Sequence, residues 1–129
     1  MGIINWYKKH LDKKVLYYAG IYDFDMGPDG KTSHNNEGDA FKHCFFQAEL
    51  SFWFGYFIAN VIGILHEEVA PNPLKEREMD LHNNKEGRHI TKNIGRLELL
   101  KLSFKGKASD EIAYFIIEAM NSGKLITHV

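Results

Sequence analysis

The sequence predicts an all-α fold, a compact single-domain helical bundle packed around a central hydrophobic helix. Three observations lead there. Apolar residues recur at the three-and-four spacing of a helix through each long segment. The glycines and prolines that interrupt helices gather at a few points, chiefly residues 20–38, Pro71 with Pro73, and Gly106. No repeat, low-complexity tract or interdomain linker divides the chain, and 129 residues at 44% hydrophobic and 13% aromatic content suffice for one core. The expected unit is therefore a single helical domain over residues 1–129.

Taken in order, residues 3–18 put Ile3, Ile4, Tyr7, Leu11, Val15 and Tyr18 on one helical face and Lys8, Lys9, Lys13 and Lys14 elsewhere. This predicts a helix packed on the core with a solvated basic side, in preference to a membrane anchor. Residues 20–38 read as a Gly-rich loop placed to cover whatever follows Asp39. Its Asp23, Asp25, Asp29 and Gly30 fall short of a calcium loop, because no bidentate Glu stands at the required offset.

From Asp39 to Glu68 the pattern predicts one long helix, apolar nearly all round after Leu50 and so expected at the centre of the bundle. Its uncharged stretch, Leu50 to Leu65, is sixteen residues, short of the roughly 20 that span a bilayer. Pro71 and Pro73 end it. Leu74 to Leu102 resumes as a helix in one or two pieces, with Gly87 and Gly95 sharing a face open to a neighbouring helix. Ser109 is the expected N-cap of a helix over Asp110–Asn121, Gly123 its terminator, and Leu125–Val129 a short strand or extended tail.

Charge and cysteine usage narrow the function. A net charge of -1 and a pI near 6.6 supply no basic field for nucleic acid. The single Cys44 forms no internal disulfide and reads as a small buried hydrophobe. No signal peptide is legible, and Trp6 stands where a myristoylation signal requires Ser or Thr, so the expected location is the cytoplasm or delivery by a specialised secretion system.

Three polar clusters interrupt the apolar sequence: Asp39, His43 and Gln47; His66 and Glu67; and Asp80, Asn83, Asn84 and Arg88. Helical spacing aligns the first as one stripe and Asp80, Asn84 and Arg88 as another. Burying such groups separately costs several kcal/mol, which predicts that they converge on one site. His66-Glu67 opens like H-E-x-x-H, but Ala70 replaces the second histidine and excludes a zincin. Asp39, His43, His66 and Asp80 are expected ligands for zinc, manganese or magnesium, with His43, Glu67, Asp80, Asn84 and Arg88 as catalytic candidates. A metal-free acid/base mechanism built on a carboxylate-oriented histidine is equally open at this point. His82 and His89 lie off the stripes.

Asp39-Ala40-Phe41-Lys42-His43-Cys44-Phe45-Phe46, then His66-Glu67, then Met79-Asp80-Leu81-His82-Asn83-Asn84-Lys85-Glu86-Gly87-Arg88 resemble a bacterial domain with the signature D-A-x-R-H-x-x-W, H-E, M-D-x-x-N-N-x-x-G-R. That domain occurs at the C-terminal ends of polymorphic toxins and as small stand-alone or phage-associated proteins. Ser109-Asp110-Glu111 and Ser122-Gly123-Lys124-Leu125 are similar to its final helix and tail, so the resemblance covers residues 33–129 and leaves 1–32 outside. Lys42 and Phe46 depart from the pattern, and lysine gives up the bidentate recognition of arginine. The resemblance implies a toxin or effector setting, with a cognate immunity protein as partner. Together these readings lead to the expectation of a small hydrolase, an antibacterial effector or toxin module; glycan, peptidoglycan, lipid and phosphodiester substrates stay open, with the apolar central helix slightly favouring an envelope lipid or glycan and peripheral membrane contact. The competing class is a non-enzymatic binding or inhibitor protein whose polar cluster is a structural network.

Overall fold

Among the described residues, backbone geometry at a few positions divides the chain into six helices. They are α1 Gly2–Tyr22, α2 Glu37–Phe54, α3 Tyr56–Val69, α4 Leu74–Ile94, α5 Arg96–Phe104 and α6 Ala108–Asn121. The structure is a computed structural model that describes residues 2–30, 35–69 and 73–128, with side chains described at all of these except 3–5 and 67–69. Among the described residues there is no strand, and no helix is long and apolar enough to cross a membrane. The all-α class is as the sequence predicts.

Gly55 breaks a segment expected as one helix, and Gly95 falls within the segment expected in one or two pieces. Gly55 adopts φ 92°, which ends α2 and turns the expected single helix into α2 and α3. Gly95 does the same between α4 and α5 at φ 95°. Only glycine takes this backbone region without a Cβ penalty. Gly95 is therefore a hinge between helices, and a Cβ there would meet nothing within 4 Å, so it does not share a packing face with Gly87.

The core gathers around α2, which packs on α1, α3, α4 and α6. Its Phe41 and Phe45 are fully buried, with the Tyr18 ring 5.8 Å from each and Phe24 stacked 4.8 Å from Phe41. Leu11, Val15 and Tyr18 form the buried side of α1, as its periodicity predicts. Ile112, Ala113 and Ile116 of α6 close the core, together with Leu99 of α5. Cys44 is buried, and burial pushes its thiol pKa upward.

Leu50 to Phe52 are buried in α2, but past Phe52 the apolar run does not occupy the centre as expected. Among the described side chains of α3 only Ala59 and Gly63 are buried, while Phe57, Ile58, Ile64 and Leu65 are exposed. This helix packs chiefly on α2 and α4. Lying at the edge of the bundle, it has neighbours on one side only, and an all-round apolar helix there must show the other side to the outside.

A half-buried polar network ties α1 and α6 to α2. Lys14 Nζ lies 3.1 Å from Glu49 Oε2 and 3.2 Å from Ser109 Oγ, and the Tyr7 hydroxyl donates to Glu49 Oε1 at 3.3 Å. Ser109 is thereby a partner of Glu49 and not the N-cap it was expected to be; α6 begins two residues earlier than expected, at Ala108 after Lys107. Gly123 does terminate α6, with its N–H donating to Met120 O and the Lys124 N–H to Ala119 O. The segment after it is an extended tail held by Asn83, whose Nδ2 donates to Ile126 O at 2.8 Å while its Oδ1 accepts from Ile126 N at 2.9 Å. His82 adds a contact to Lys124 O at 2.7 Å.

Helix α4 comes closest to α2 at Gly87. A Cβ at this position would lie 2.2 Å from the Cys44 carbonyl oxygen and 3.0 Å from its carbon, which are backbone atoms that cannot swing away. Removing a glycine from a helix interior ordinarily stabilises by about 0.5–1 kcal/mol. Here the collision reverses the sign, since overpacking costs about 1–3 kcal/mol. We expect Gly87→Ala to lower the thermal midpoint by about 5–10 °C. Gly20→Ala in α1, where nothing lies within 4 Å of the added Cβ, should leave it unchanged or raised. Equal midpoints for the two variants in calorimetric melts would refute the close-approach argument.

Candidate functional site

The α2–α4 contact carries most of the buried polar residues. Asp39, Gln47 and Ser51 come from α2, and Asp80, Asn83, Asn84 and Thr91 from α4. Their spacing follows from the helix: Asp39, His43 and Gln47 lie one turn apart, as do Asp80, Asn84 and Arg88. Gly87 lets these two stripes meet.

The N-terminus of α2 fixes the first carboxylate. Asn36 is the N-cap, its side-chain oxygen accepting from the Asp39 N–H at 3.0 Å. Asp39 is the third residue of the helix, where the dipole favours a negative charge, and its Oδ2 accepts from the Asn35 N–H at 2.8 Å. Oδ1 is directed to His43 Nε2 at 3.4 Å. Across the seam Asp80 Oδ1 lies 3.2 Å from the same nitrogen. Asp39 and Asp80 are buried and His43 is half-buried, and the three donor atoms lie within 4.8 Å of one another. Two carboxylates thus address a single ring nitrogen.

Burial by itself would raise the Asp39 pKa. The opposing pull of His43, the Asn35 N–H and the charge of Lys42 outweighs it and holds this carboxyl below its ordinary value. Lys42, which stands where the resembling signature has arginine, turns away to Asp12 of α1 at 3.1 Å.

The other candidates take distinct positions. His66 of α3 sets its ring 6.4 Å from that of His43, tilted by 59°, on the exposed side of the site and outside the three-donor cluster. Glu67 has its side chain outside the described residues. Asn84 is buried one turn beyond Asp80, and its Oδ1 accepts no hydrogen bond from the described residues. Gly63 of α3 makes room for it, because a Cβ there would lie 3.0 Å from Asn84 Nδ2 and 2.7 Å from Gln47 Nε2. Arg88 donates from Nη1 to Gln47 Oε1 at 2.9 Å, while Gln47 Nε2 donates to Ala59 O at 2.9 Å. Eight residues separate Arg88 from Asp80, about 12 Å along the helix, so Arg88 sits at the far end of the seam. Burial lowers its pKa from the usual arginine value.

Asp39, His43 and Asp80 are therefore brought together, Asn84 and His66 flank them, and Arg88 with Gln47 forms a separate bridge. Asn83 belongs to the tail clamp. Two surface clefts of about 540 and 360 Å³ include none of the three clustered residues. Asn35 and Asn36 went unread as site supports, although Asn36 three residues before Asp39 is a legible capping pattern. Thr91 also went unread; its hydroxyl donates to Ala48 O at 2.7 Å and pins the seam one turn past Gly87. Residues 31–34 of the expected covering loop lie outside the described residues, but the loop's end contributes Asn35, whose Nδ2 donates to Glu76 Oε1.

The depressed pKa of Asp39 carries a sign. A carboxyl whose folded value lies below its unfolded value, near 3.8, stabilises fully above that pH and loses the contribution as pH falls through the lower folded value. Asp39→Asn removes the titration. The difference in melting temperature between wild type and Asp39→Asn should be largest near pH 6 and shrink steadily toward pH 3. A difference that stays constant across this range would contradict the assigned shift.

No solved structure matches the chain. Residues 26–124 match the family model described as a domain of unknown function (DUF6973). The match takes in α2 through α6 with both halves of the polar seam, and since it covers most of the 129 residues, this chain belongs to the DUF6973 family.

Proposed function

We propose that Asp39, His43 and Asp80 hold one divalent cation, and that the protein is a small metal-dependent hydrolase working as an antibacterial effector or toxin module. The observation that carries this reading is the convergence of two carboxylate oxygens on His43 Nε2, at 3.4 and 3.2 Å. Two carboxylate oxygens and an imidazole nitrogen gathered from two helices make a donor set of the kind that holds a divalent cation. With bonds of about 2.0–2.1 Å, neighbouring donors around one cation would stand about 3.0–3.4 Å apart, which the separations of His43 Nε2 from Asp39 and from Asp80 match, and all three donor atoms lie within 4.8 Å of one another. One histidine and two carboxylates suit zinc, manganese or magnesium.

Such an ion supplies a bound water of lowered pKa as nucleophile. The chain's own contribution is placement. Asn35 and Asn36 orient Asp39, and the buried Asn84 Oδ1 is an acceptor available to a substrate or water proton. His66, exposed beside His43, stands where a substrate would enter. The toxin setting rests on the signature resemblance, which also supplies the immunity partner. The envelope substrate, lipid or glycan, follows from the apolar surface of α3 beside this entrance.

One observation favours a second reading. Gln47, Arg88 and Thr91 continue the seam as direct helix-to-helix bonds, which is how a register-fixing network in a binding or inhibitor protein would look. Calorimetric titration with zinc, manganese and magnesium separates the two. The metal reading expects one ion per chain at pH 7.5, weaker binding at pH 5.5 where His43 must lose a proton to ligate, and none in His43→Ala or Asp80→Ala. Saturation at about 100 times Kd should add about 2.7 kcal/mol of stability, a rise of about 10 °C in melting temperature. Both variants should stay folded and lose toxicity. If no ion binds and both variants melt far below wild type while retaining activity, the network reading replaces the metal one.

A further inference from the structure

Past Phe52, the apolar run expected at the centre of the bundle instead forms part of its outer surface. Around the α2–α3 break Trp53, Phe54, Phe57 and Ile58 are exposed, Phe57 by 76%. Helix α5 meets this same end. Arg96 Nε donates to Phe52 O at 3.1 Å, and Trp53 lines a cleft of about 360 Å³ together with Ser103 and Gly106. From α5 come exposed Leu97, Leu100 and Phe104, the last 85% exposed. Trp6 lines the same cleft, so both tryptophans of the chain stand exposed along it.

The exposed charges around these side chains are mostly positive. Arg96, Lys101, Lys105 and Lys107 are all exposed, against Glu98 as the one acidic residue from 96 to 107. The sequence from Leu50 to His66 holds no carboxylate, and Glu49 in the cleft is engaged by Lys14 and Tyr7. Bulky apolar and aromatic groups fringed by lysine and arginine match the layering of a membrane interface, with acyl chains below and phosphate headgroups above. A second copy of the chain fits less well, because a two-fold interface would set the same basic fringe against itself.

We propose that this end of the molecule docks on an anionic lipid surface, with Trp53, Phe54, Phe57, Leu97 and Phe104 entering the interface and Arg96, Lys101 and Lys105 on the headgroups. Helix α3 connects this surface to the three-donor cluster, since His66 lies nine residues beyond Phe57, about 13 Å along the helix. Docking would therefore hold the site close to a headgroup. That consequence rests on the hydrolase reading, whereas the docking itself does not.

Flotation with vesicles tests it, using phosphatidylcholine alone and phosphatidylcholine with roughly one-third phosphatidylglycerol. Wild type should float with the anionic vesicles, and equally in EDTA, which separates docking from metal binding. In Trp6→Phe, Trp53 is the sole tryptophan and its emission should shift to the blue on vesicle addition. Phe57→Asp, and separately Lys101→Gln combined with Lys105→Gln, should each weaken partitioning about tenfold or more. All three positions are exposed, so these variants should melt like wild type. Absence of wild-type flotation, or undiminished flotation of Phe57→Asp, overturns the proposal. So does a dimer in analytical ultracentrifugation that Phe57→Asp dissociates, which would give the surface to a second copy.

Discussion

The approach of α4 to α2 at Gly87 is the constraint on which the rest depends. With a Cβ 2.2 Å from the Cys44 carbonyl excluded, the two backbones come nearer than side chains would allow, and short polar groups can bridge them directly. Thr91 reaches Ala48 O, Arg88 reaches Gln47, and Asp80 reaches His43 because of that distance. A wider separation would need longer side chains and would lose the three-donor geometry. The site is a property of one interhelical distance.

Filling the middle of so small a domain with Asp39, Asp80, Asn83, Asn84 and Gln47 is energetically expensive compared with an apolar seam. Much of the cost is offset locally. The dipole and cap of α2 serve Asp39, Asn83 exchanges two hydrogen bonds with Ile126, and Gln47 is satisfied at both ends. Beyond these local bonds, Asp39 and Asp80 both face one nitrogen of His43, and this convergence is where the metal proposal has its support. Stability alone would not favour such an arrangement over aliphatic packing.

The molecule is in part inside-out. Polar side chains line its longest helix contact while Trp53, Phe54, Phe57, Leu65 and Phe104 lie outside. Both halves of that inversion bear on function, since buried polar clusters and exposed apolar patches are the departures from ordinary burial that carry information. For a member of a family whose function is not defined, a convergent buried donor set and a basic-fringed apolar end are the two features that give experiments a starting point.

Much of this was readable in one dimension. Periodicity determined the all-α class, the buried face of α1, the termination at Gly123 and the two polar stripes, because helical spacing is a local property of the chain. The spacing of Asp39 with His43, and of Asp80 with Asn84, needs only 3.6 residues per turn. What the sequence could not determine was which neighbours each helix would have. The hydrophobicity of residues 50–65 is the same whether α3 is central or at an edge, and only the packed structure places it at the edge. Gly55, Gly87 and Gly95 are the same residue in the sequence, yet two break helices and one admits a carbonyl, a difference set by backbone φ and by what lies opposite. Likewise Asn83 and Asn84 are adjacent and alike, but a rotation of about 100° between neighbours on a helix sends one to the tail and the other to the seam. Which face meets which is decided between elements, and that is fixed only when all six helices compete for the same core.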